Sequence, residues 1–521
     1  MFMSRVGKVT LVAAGVGMLA AGAWAGTPWQ QFHGGADHVG AWDGSINVHG
    51  IKLLWSLPVP YVAWDFNRGI QPTLSSDGRT LFLYSDASDN TGTIHAISTV
   101  DGQTQWTRPV YSFVSFGHSG SPVYDNGYVY WAGSDSTFDL EGNITGGTTT
   151  VYRMRASDGS TDPANGGWAS TLDAHSVLNA SCMVGGGKVF ISRYGGMDGS
   201  GGIHYALDAA DGTVAWAKPD GGHGTGAMTY DAARGLVYQT VRTDGHDRLR
   251  AYNAADGSVA WTANWGLDFT ATAHATQMGI ALRGGRIYVQ SYDFGTAGVP
   301  ADGQLFVADA ANSGALLWSG LTANSGNACP AVDPAGNVYV AGGDWLLDSG
   351  HTRAYGSDGG DPLWTSAPMG GYHGSPAWAD GYVFSGDQEI YGTYRPGTLY
   401  LLNAADGTTA LELPGGGPVG FGRSAFYTLD NAGNLYAYAA PIDGDANYDD
   451  VVDYLDLGAL AGNYRQGGKG WEQGDFTGDG MVDYLDLGVL AGMYRQTAGA
   501  APEPATLLLM LAAAGALRRR K

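Results

Sequence analysis

The sequence predicts a mainly β fold, a closed ring of short antiparallel sheets, followed by a small α-helical module. Three observations carry this reading. Glycine accounts for 84 of 521 residues, 12% are aromatic and only 15% are charged, a composition that favours strands and tight turns over helices. An Ala, a Gly six residues on and a Trp four beyond that recur through the middle of the chain. After Pro441 that repeat stops and two near-identical acidic segments follow. The 44% hydrophobic content is enough for a large core. The net charge of −22 excludes nucleic acid or an anionic membrane surface as the main partner, because both need a cationic face. Two cysteines, Cys182 and Cys329, exclude a disulfide-stapled scaffold and a Cys-rich metal site.

In chain order, residues 1–25 read as a secretory signal. Arg5 and Lys8 give a basic start, Val9 to Ala21 is apolar, and Ala23-Trp24-Ala25 is a small-x-small cleavage site. The repeat comes next. His204 to Trp216 and Arg250 to Trp261 are two full copies, and the frame recurs as Ala96/Gly102/Trp106, Ala308/Gly314/Trp318 and Ala354/Gly360/Trp364. Leu401/Gly407/Leu411 is a weaker copy, and Arg153/Gly159 keeps the turn but lacks the Trp. The Asp-Gly pairs supply the positive φ of a hairpin turn between two strands. A further strand and turn lie upstream of each, as in Gly127 to Trp131 and Gly187 to Ile191. Four strands per roughly 50 residues make one propeller blade, and each Trp is placed to pack between neighbouring blades. Eight third strands can be counted, near Ile94, Tyr152, Tyr205, Leu249, Phe306, Arg353, Leu399 and Leu435. The last lacks a following strand, which Ile51 to Ser56 can supply, closing the ring and covering its edges. The expectation is an eight-bladed β-propeller over residues 27–441, with seven blades as the alternative.

Ala206, Asp208, Gly212 and Trp216 match the Ala-x-Asp-x-x-x-Gly-x-x-x-Trp frame of pyrroloquinoline-quinone-type repeats, so the chain resembles the quinoprotein propellers. The resemblance implies the fold; fold does not fix activity. Quinone-dependent dehydrogenases of this type usually carry a vicinal Cys-Cys pair, stacking residues and a calcium-bound acid set. The two cysteines here belong to non-adjacent blades, which argues against the quinone cofactor.

Aligning the innermost strands places Arg68, His118, His223, His274 and His373 shortly before them. Such side chains could converge at one mouth of the channel and hold a metal or an anionic ligand. The alternative is that each His bonds only the loop of its own blade. No Ser/His/Asp triad and no spaced acid pair stands out.

Residues 445–456 and 475–486 are twelve-residue acidic loops, each followed by Leu-Gly-x-Leu-Ala-Gly-x-Tyr-Arg-Gln, and the unit repeats every 30 residues. Oxygen donors at positions 1, 3, 5, 9 and 12 suit Ca2+, which takes 6–8 oxygens. The first loop offers Asp445, Asn447, Asp449, Asp453 and Asp456, and the second Asp475, Thr477, Asp479, Asp483 and Asp486, with the main-chain carbonyls of Val451 and Met481 at position 7. Two ions are expected. Gly480 makes the sharp turn at position 6, and Asp450 replaces it in the first loop. Leu457, Leu460 and Tyr464, with Leu487, Leu490 and Tyr494, should form the apolar faces of two helices. The pattern over residues 443–496 resembles a type I dockerin, an EF-hand-like pair. That resemblance implies a cohesin-like partner touched by Tyr454, Leu455, Tyr484 and Leu485, and the near-identity of the copies implies two binding orientations.

The last segment, 501–521, reads Pro502-Glu503-Pro504, an apolar run from Ala505 to Leu517, and Arg518-Arg519-Arg520-Lys521. It resembles a PEP-CTERM sorting signal, which implies an exosortase and a Gram-negative envelope, cell-surface or extracellular location. The functional expectation is an exported, non-catalytic propeller that binds a glycan or small ligand or scaffolds an assembly. The rivals are a dockerin-borne polysaccharide-active enzyme and a quinone-dependent dehydrogenase.

Overall fold

The computed structural model describes residues 26–494, apart from 60–69, 87–90, 112–119, 135–136, 139–143, 147, 175–176, 179–180, 195–201, 220–225, 245, 268–272, 276–278, 294–302, 323–327, 343–349, 370–373, 388–396 and 431. The two sequence signals at the ends, 1–25 and 501–521, lie outside these residues.

Among the described residues eight sheets follow one another as blades, each built on four antiparallel strands from innermost to outermost, and three of them carry a fifth short strand. Blade 1 comprises Thr73–Leu74, Thr80–Asp86, Thr91–Ser98 and Thr104–Tyr111. The innermost strands of blades 2 to 7 are Val123–Asp125, Met183–Gly185, Thr229–Asp231, Ala281–Arg283, Ala331–Val332 and Ala377–Ala379. Blade 8 takes Gly420–Phe421, Ala425–Leu429 and Asn434–Ala439 from the end of the ring and Leu53–Pro58 from its start. Leu57 pairs with Leu435 and Trp55 with Ala437. The expected closure and the count of eight therefore hold, and the seven-bladed alternative falls.

The repeated turn works as its residues dictate. Gly212 takes φ +75°, its N–H donates to the Asp208 carbonyl at 2.8 Å, and the Asp211 carboxylate accepts the Thr213 N–H at 2.9 Å. The indole of each outermost strand lies over the turn glycine of the next blade: Trp55 over Gly102, Trp106 over Gly159, Trp168 over Gly212, Trp216 over Gly257, Trp261 over Gly314, Trp318 over Gly359 and Trp364 over Gly407. A methyl group on any of these glycines would fall within 3 Å of the ring. Most of the indole N–H groups also donate into that turn, as Trp55 does to the Thr99 carbonyl and Trp216 to the Ala254 carbonyl, both at 3.0 Å. Seven of the eight seams are thus filled by an indole, wholly or partly buried, and six of these rings also have a satisfied donor.

Two details differ from the expectation. Blade 2 does have its Trp: it is Trp168, displaced by a longer turn that holds the short 3-10 helix Pro163–Asn165. In blade 6 it is Gly359, not Gly360, that sits beneath an indole.

The N-terminal segment does something the repeat pattern does not announce. Residues 26–42 make one circuit inside the ring and bond the innermost strand of every blade in turn. Trp29 N–H donates to the Phe421 carbonyl of blade 8 at 2.7 Å, and its own carbonyl accepts Leu74 N–H of blade 1 at 2.8 Å. The carbonyls of Gln30, Ala36, Asp37, Val39 and Gly40 accept N–H groups of Tyr124, Tyr230, Leu282, Val332 and Trp378 in blades 2, 4, 5, 6 and 7. Blade 3 is met by a side chain: Gln31 donates to the Val184 carbonyl at 2.8 Å and accepts Val184 N–H at 3.0 Å. Ala41–Trp42 then runs parallel to Ala377–Ala379. Asp43 accepts from both the N–H and the hydroxyl of Thr27, tying the end of the circuit to its beginning. Phe32, His33 and His38 are fully enclosed.

The C-terminal module holds two ten-residue helices, α1 (Tyr454–Asn463) and α2 (Tyr484–Met493), each opened by an Asp that caps the first turn, Asp453 and Asp483. Leu460 and Leu490 are buried between them with Ile442, Val452, Trp471, Phe476 and Val482, and Leu457, Leu487 and Tyr494 pack at the margin. Tyr464 departs from the expected apolar face. It stands exposed at the end of α1 with the Arg465 guanidinium 5.7 Å from its ring.

Candidate functional site

The two acidic loops are the most developed site chemistry in the described chain. In the first, Asp445 accepts the N–H groups of Asp449 and Asp450, and Asp456 accepts those of Ala446, Asn447 and Asp453. The second repeats the scheme: Asp475 accepts from Gly478 and Gly480, and Asp486 from Phe476, Thr477 and Asp483. Both loops make their sharp turn at the sixth position. Gly480 does so at φ +83° and Asp450 at +66°, a left-handed turn that Asp tolerates better than most side chains.

Asp445, Asp456, Asp475 and Asp486 are all almost wholly buried, and none has a Lys, Arg or His partner among the described residues. Burial, followed by the neighbouring Asp456 and Asp449 charges, pushes the Asp445 carboxyl up to about 7. Asp456 is raised too, chiefly by burial. Buried carboxylates without a counter-charge are costly. Among the described residues no three His, Cys, Asp or Glu side chains form a metal cluster on their own. The donor set expected from the sequence would further need Asn447 or Thr477 and the carbonyls of Val451 and Met481. That all-oxygen set fits a hard divalent cation.

The four residues that follow the ninth position are the other distinctive feature. Tyr454 and Tyr484 are 68% and 67% exposed, Leu455 and Leu485 50% and 47%. Two identical apolar pairs thus stand in solvent at the starts of the two helices.

The channel-mouth set falls almost wholly outside the described residues. Arg68, His118, His223 and His373 lie outside the described residues. His274 stands on the strand Ala273–Ala275, opposite Tyr292. Instead, two histidines that the sequence reading passed over, His33 and His38, are buried inside the N-terminal circuit. The ring nitrogens of His33 face the carbonyl oxygens of His38 at 2.8 Å and Pro376 at 2.7 Å. Burial, with His33 beside it, lowers His38 to about 3. They hold the circuit's fold rather than facing solvent. The only hint in the sequence was the glycines around them: Gly40 is needed because the His33 ring occupies the place of a Cβ.

The same end of the ring carries a cavity of about 760 Å³ between the circuit and the first turns of blades 4 and 5, with Asp37, Asp43, Arg234 and Arg283 among its walls. Burial raises the Asp37 carboxyl while Arg283 pulls it down. Cys182 and Cys329, on blades 3 and 6, are free and buried, and burial raises both thiols.

Residues 155–412 match the family model of the outer membrane protein assembly factor BamB, a PQQ-type repeat model. Among solved structures, the quinohemoprotein alcohol dehydrogenase from Comamonas testosteroni is 13% identical, with a TM-score of 0.54 over 95% of this chain and 96% of that one. A quinohemoprotein alcohol dehydrogenase from Pseudomonas putida HK5 is 14% identical over the same shares, also with a TM-score of 0.54. BamB from Moraxella catarrhalis is 15% identical, covers 75% of this chain and 99% of its own, and has a TM-score of 0.48. No curated protein matches the sequence. The middle of the chain therefore carries PQQ-like repeats, and the ring has the fold of the quinoprotein dehydrogenases.

Proposed function

We propose that this is an exported envelope scaffold: a sealed propeller that carries a calcium-set, dockerin-like docking module and is delivered by an N-terminal leader and a C-terminal exosortase signal. The observation that carries the reading is the pairing, twice over, of unneutralised buried carboxylates with an exposed Tyr-Leu step on the adjoining helix. Calcium would be held by Asp445, Asn447, Asp449, Val451, Asp453 and Asp456, and by Asp475, Thr477, Asp479, Met481, Asp483 and Asp486. Its chemistry there is neutralisation of the acidic loops, which otherwise repel and unfold. The match of the repeats to an outer-membrane assembly factor model supports an envelope location and an assembly role. A glycan or small ligand at the open connections of the ring remains part of the proposal, as does the channel-mouth set.

Calorimetric titration of the full chain with Ca2+ is expected to saturate at two ions, and Asp456→Ala or Asp486→Ala should each remove one. A chain that binds no calcium would overturn the module reading. Binding to a panel of cohesin domains should need calcium. Tyr454→Ala/Leu455→Ala and Tyr484→Ala/Leu485→Ala should each be tolerated alone, whereas the combined variant should lose about 100-fold in affinity, as expected when two apolar anchors are removed from an interface centre. If no cohesin binds, the module is a spacer.

The second reading, a quinone-dependent dehydrogenase, is favoured by the extent of the fold likeness. The absence of adjacent cysteines stands against it. Alcohol oxidation assayed with added pyrroloquinoline quinone and Ca2+ separates the two, since turnover would displace the scaffold reading.

A further inference from the structure

We infer that the module is also a cation-dependent latch on the ring, an inference that rests on the calcium reading above. The ring closes where Leu53–Pro58 pairs with Asn434–Ala439. Both of these strands lead straight into the module. Ala439 continues through Pro441 into the first acidic loop, and residues 47–52, just ahead of Leu53, are packed against both loops.

These contacts are specific. Asn47 donates to the Asp443 carboxylate at 2.7 Å and to the Phe476 carbonyl, at the second position of the second loop, at 3.2 Å. The His49 ring fills the space over Gly478, the fourth position of that loop, so closely that a Cβ there would lie 2.2 Å from it. Tyr448, the fourth position of the first loop, donates to the Gly50 carbonyl at 3.0 Å. Lys52 lies 3.9 Å from the Tyr448 ring centroid and 2.6 Å from Glu472. Trp471 lies beneath Gly50 and donates to the Asp445 carbonyl, at the first ligand position, at 2.5 Å.

The corresponding position in both loops is therefore engaged by one short segment. A ligand that folds the loops fixes that segment, and a ligand that binds only the folded state stabilises everything coupled to it. Cation binding should accordingly tighten the seam of blade 8. Removing the cation should free residues 47–52 and let the closing strand open locally.

The test is hydrogen exchange on the full chain, with calcium binding measured in parallel by calorimetry. Chelation is expected to lower amide protection across 53–58 and 434–439 by about tenfold or more while leaving the blade 4 strands 236–243 and 246–253 unchanged. Asn47→Ala/His49→Ala should still bind calcium, yet show little calcium-dependent protection at 53–58. If that variant fails to fold, Lys52→Met should show the same loss of response in weaker form. Calcium binding with no change in protection at 53–58 overturns the latch and leaves the docking module standing. Absence of calcium binding overturns both.

Discussion

Replacing Trp216 with Ala should lower the stability of the ring by about 3–5 kcal/mol, the usual cost of emptying a buried aromatic site. The indole is 6% exposed. It stacks with Tyr252 of blade 4 at 6.1 Å and lies at 6.0 Å from Phe190 of its own blade, and its N–H is satisfied by the Ala254 carbonyl. Truncation leaves a cavity across the seam and removes that carbonyl's indole donor, so the transfer and hydrogen-bond losses act together. The complementary change, Gly257→Ala, pushes a methyl into the same ring and imposes φ +68° on a residue with a Cβ. Guanidinium denaturation of the full chain measures both. A change near zero for Trp216→Ala would mean that the seam is not held by its indole.

The second large effect is expected at Gln31. Its amide replaces a strand by pairing with both backbone groups of Val184 in a buried setting. Gln31→Ala leaves one N–H and one carbonyl without a partner, at about 1–3 kcal/mol each. The sum, about 2–5 kcal/mol, should be read by the same denaturation experiment. An unchanged midpoint would mean that the circuit does not seat on blade 3.

The ring was legible because its architecture repeats. A turn glycine and an indole at fixed spacing recur for the same steric reason at each seam, and the strand without a partner near Leu435 called for one near Trp55. Trp168 escaped because the turn before it is longer, which broke the spacing without changing the contact. The circuit of residues 26–42 escaped for a deeper reason. Most of its strand contacts are made by backbone atoms, which carry no residue signature, and they occur once each, so no periodicity betrays them. The two acidic loops were legible as matched twelve-residue segments, down to the shared left-handed turn of Asp450 and Gly480. Their seating on residues 47–52 was not, because it joins positions some 400 apart through single contacts such as Asn47 to Asp443. Of the histidine set placed at the channel only His274 lies within the described residues, and His33 and His38, which the structure encloses within the circuit, sit outside the repeat.

The circuit has a consequence for how the chain reaches its native state. Residues near its start must touch sheets synthesised hundreds of residues later, and Trp29 waits for Phe421. The circuit cannot be completed until the strands of the last blade have been made. Contacts so distant in sequence make for slow, late consolidation. Maturation should therefore end with the beginning of the chain being wound into place, and any factor that holds that beginning aside would keep the whole molecule unfinished.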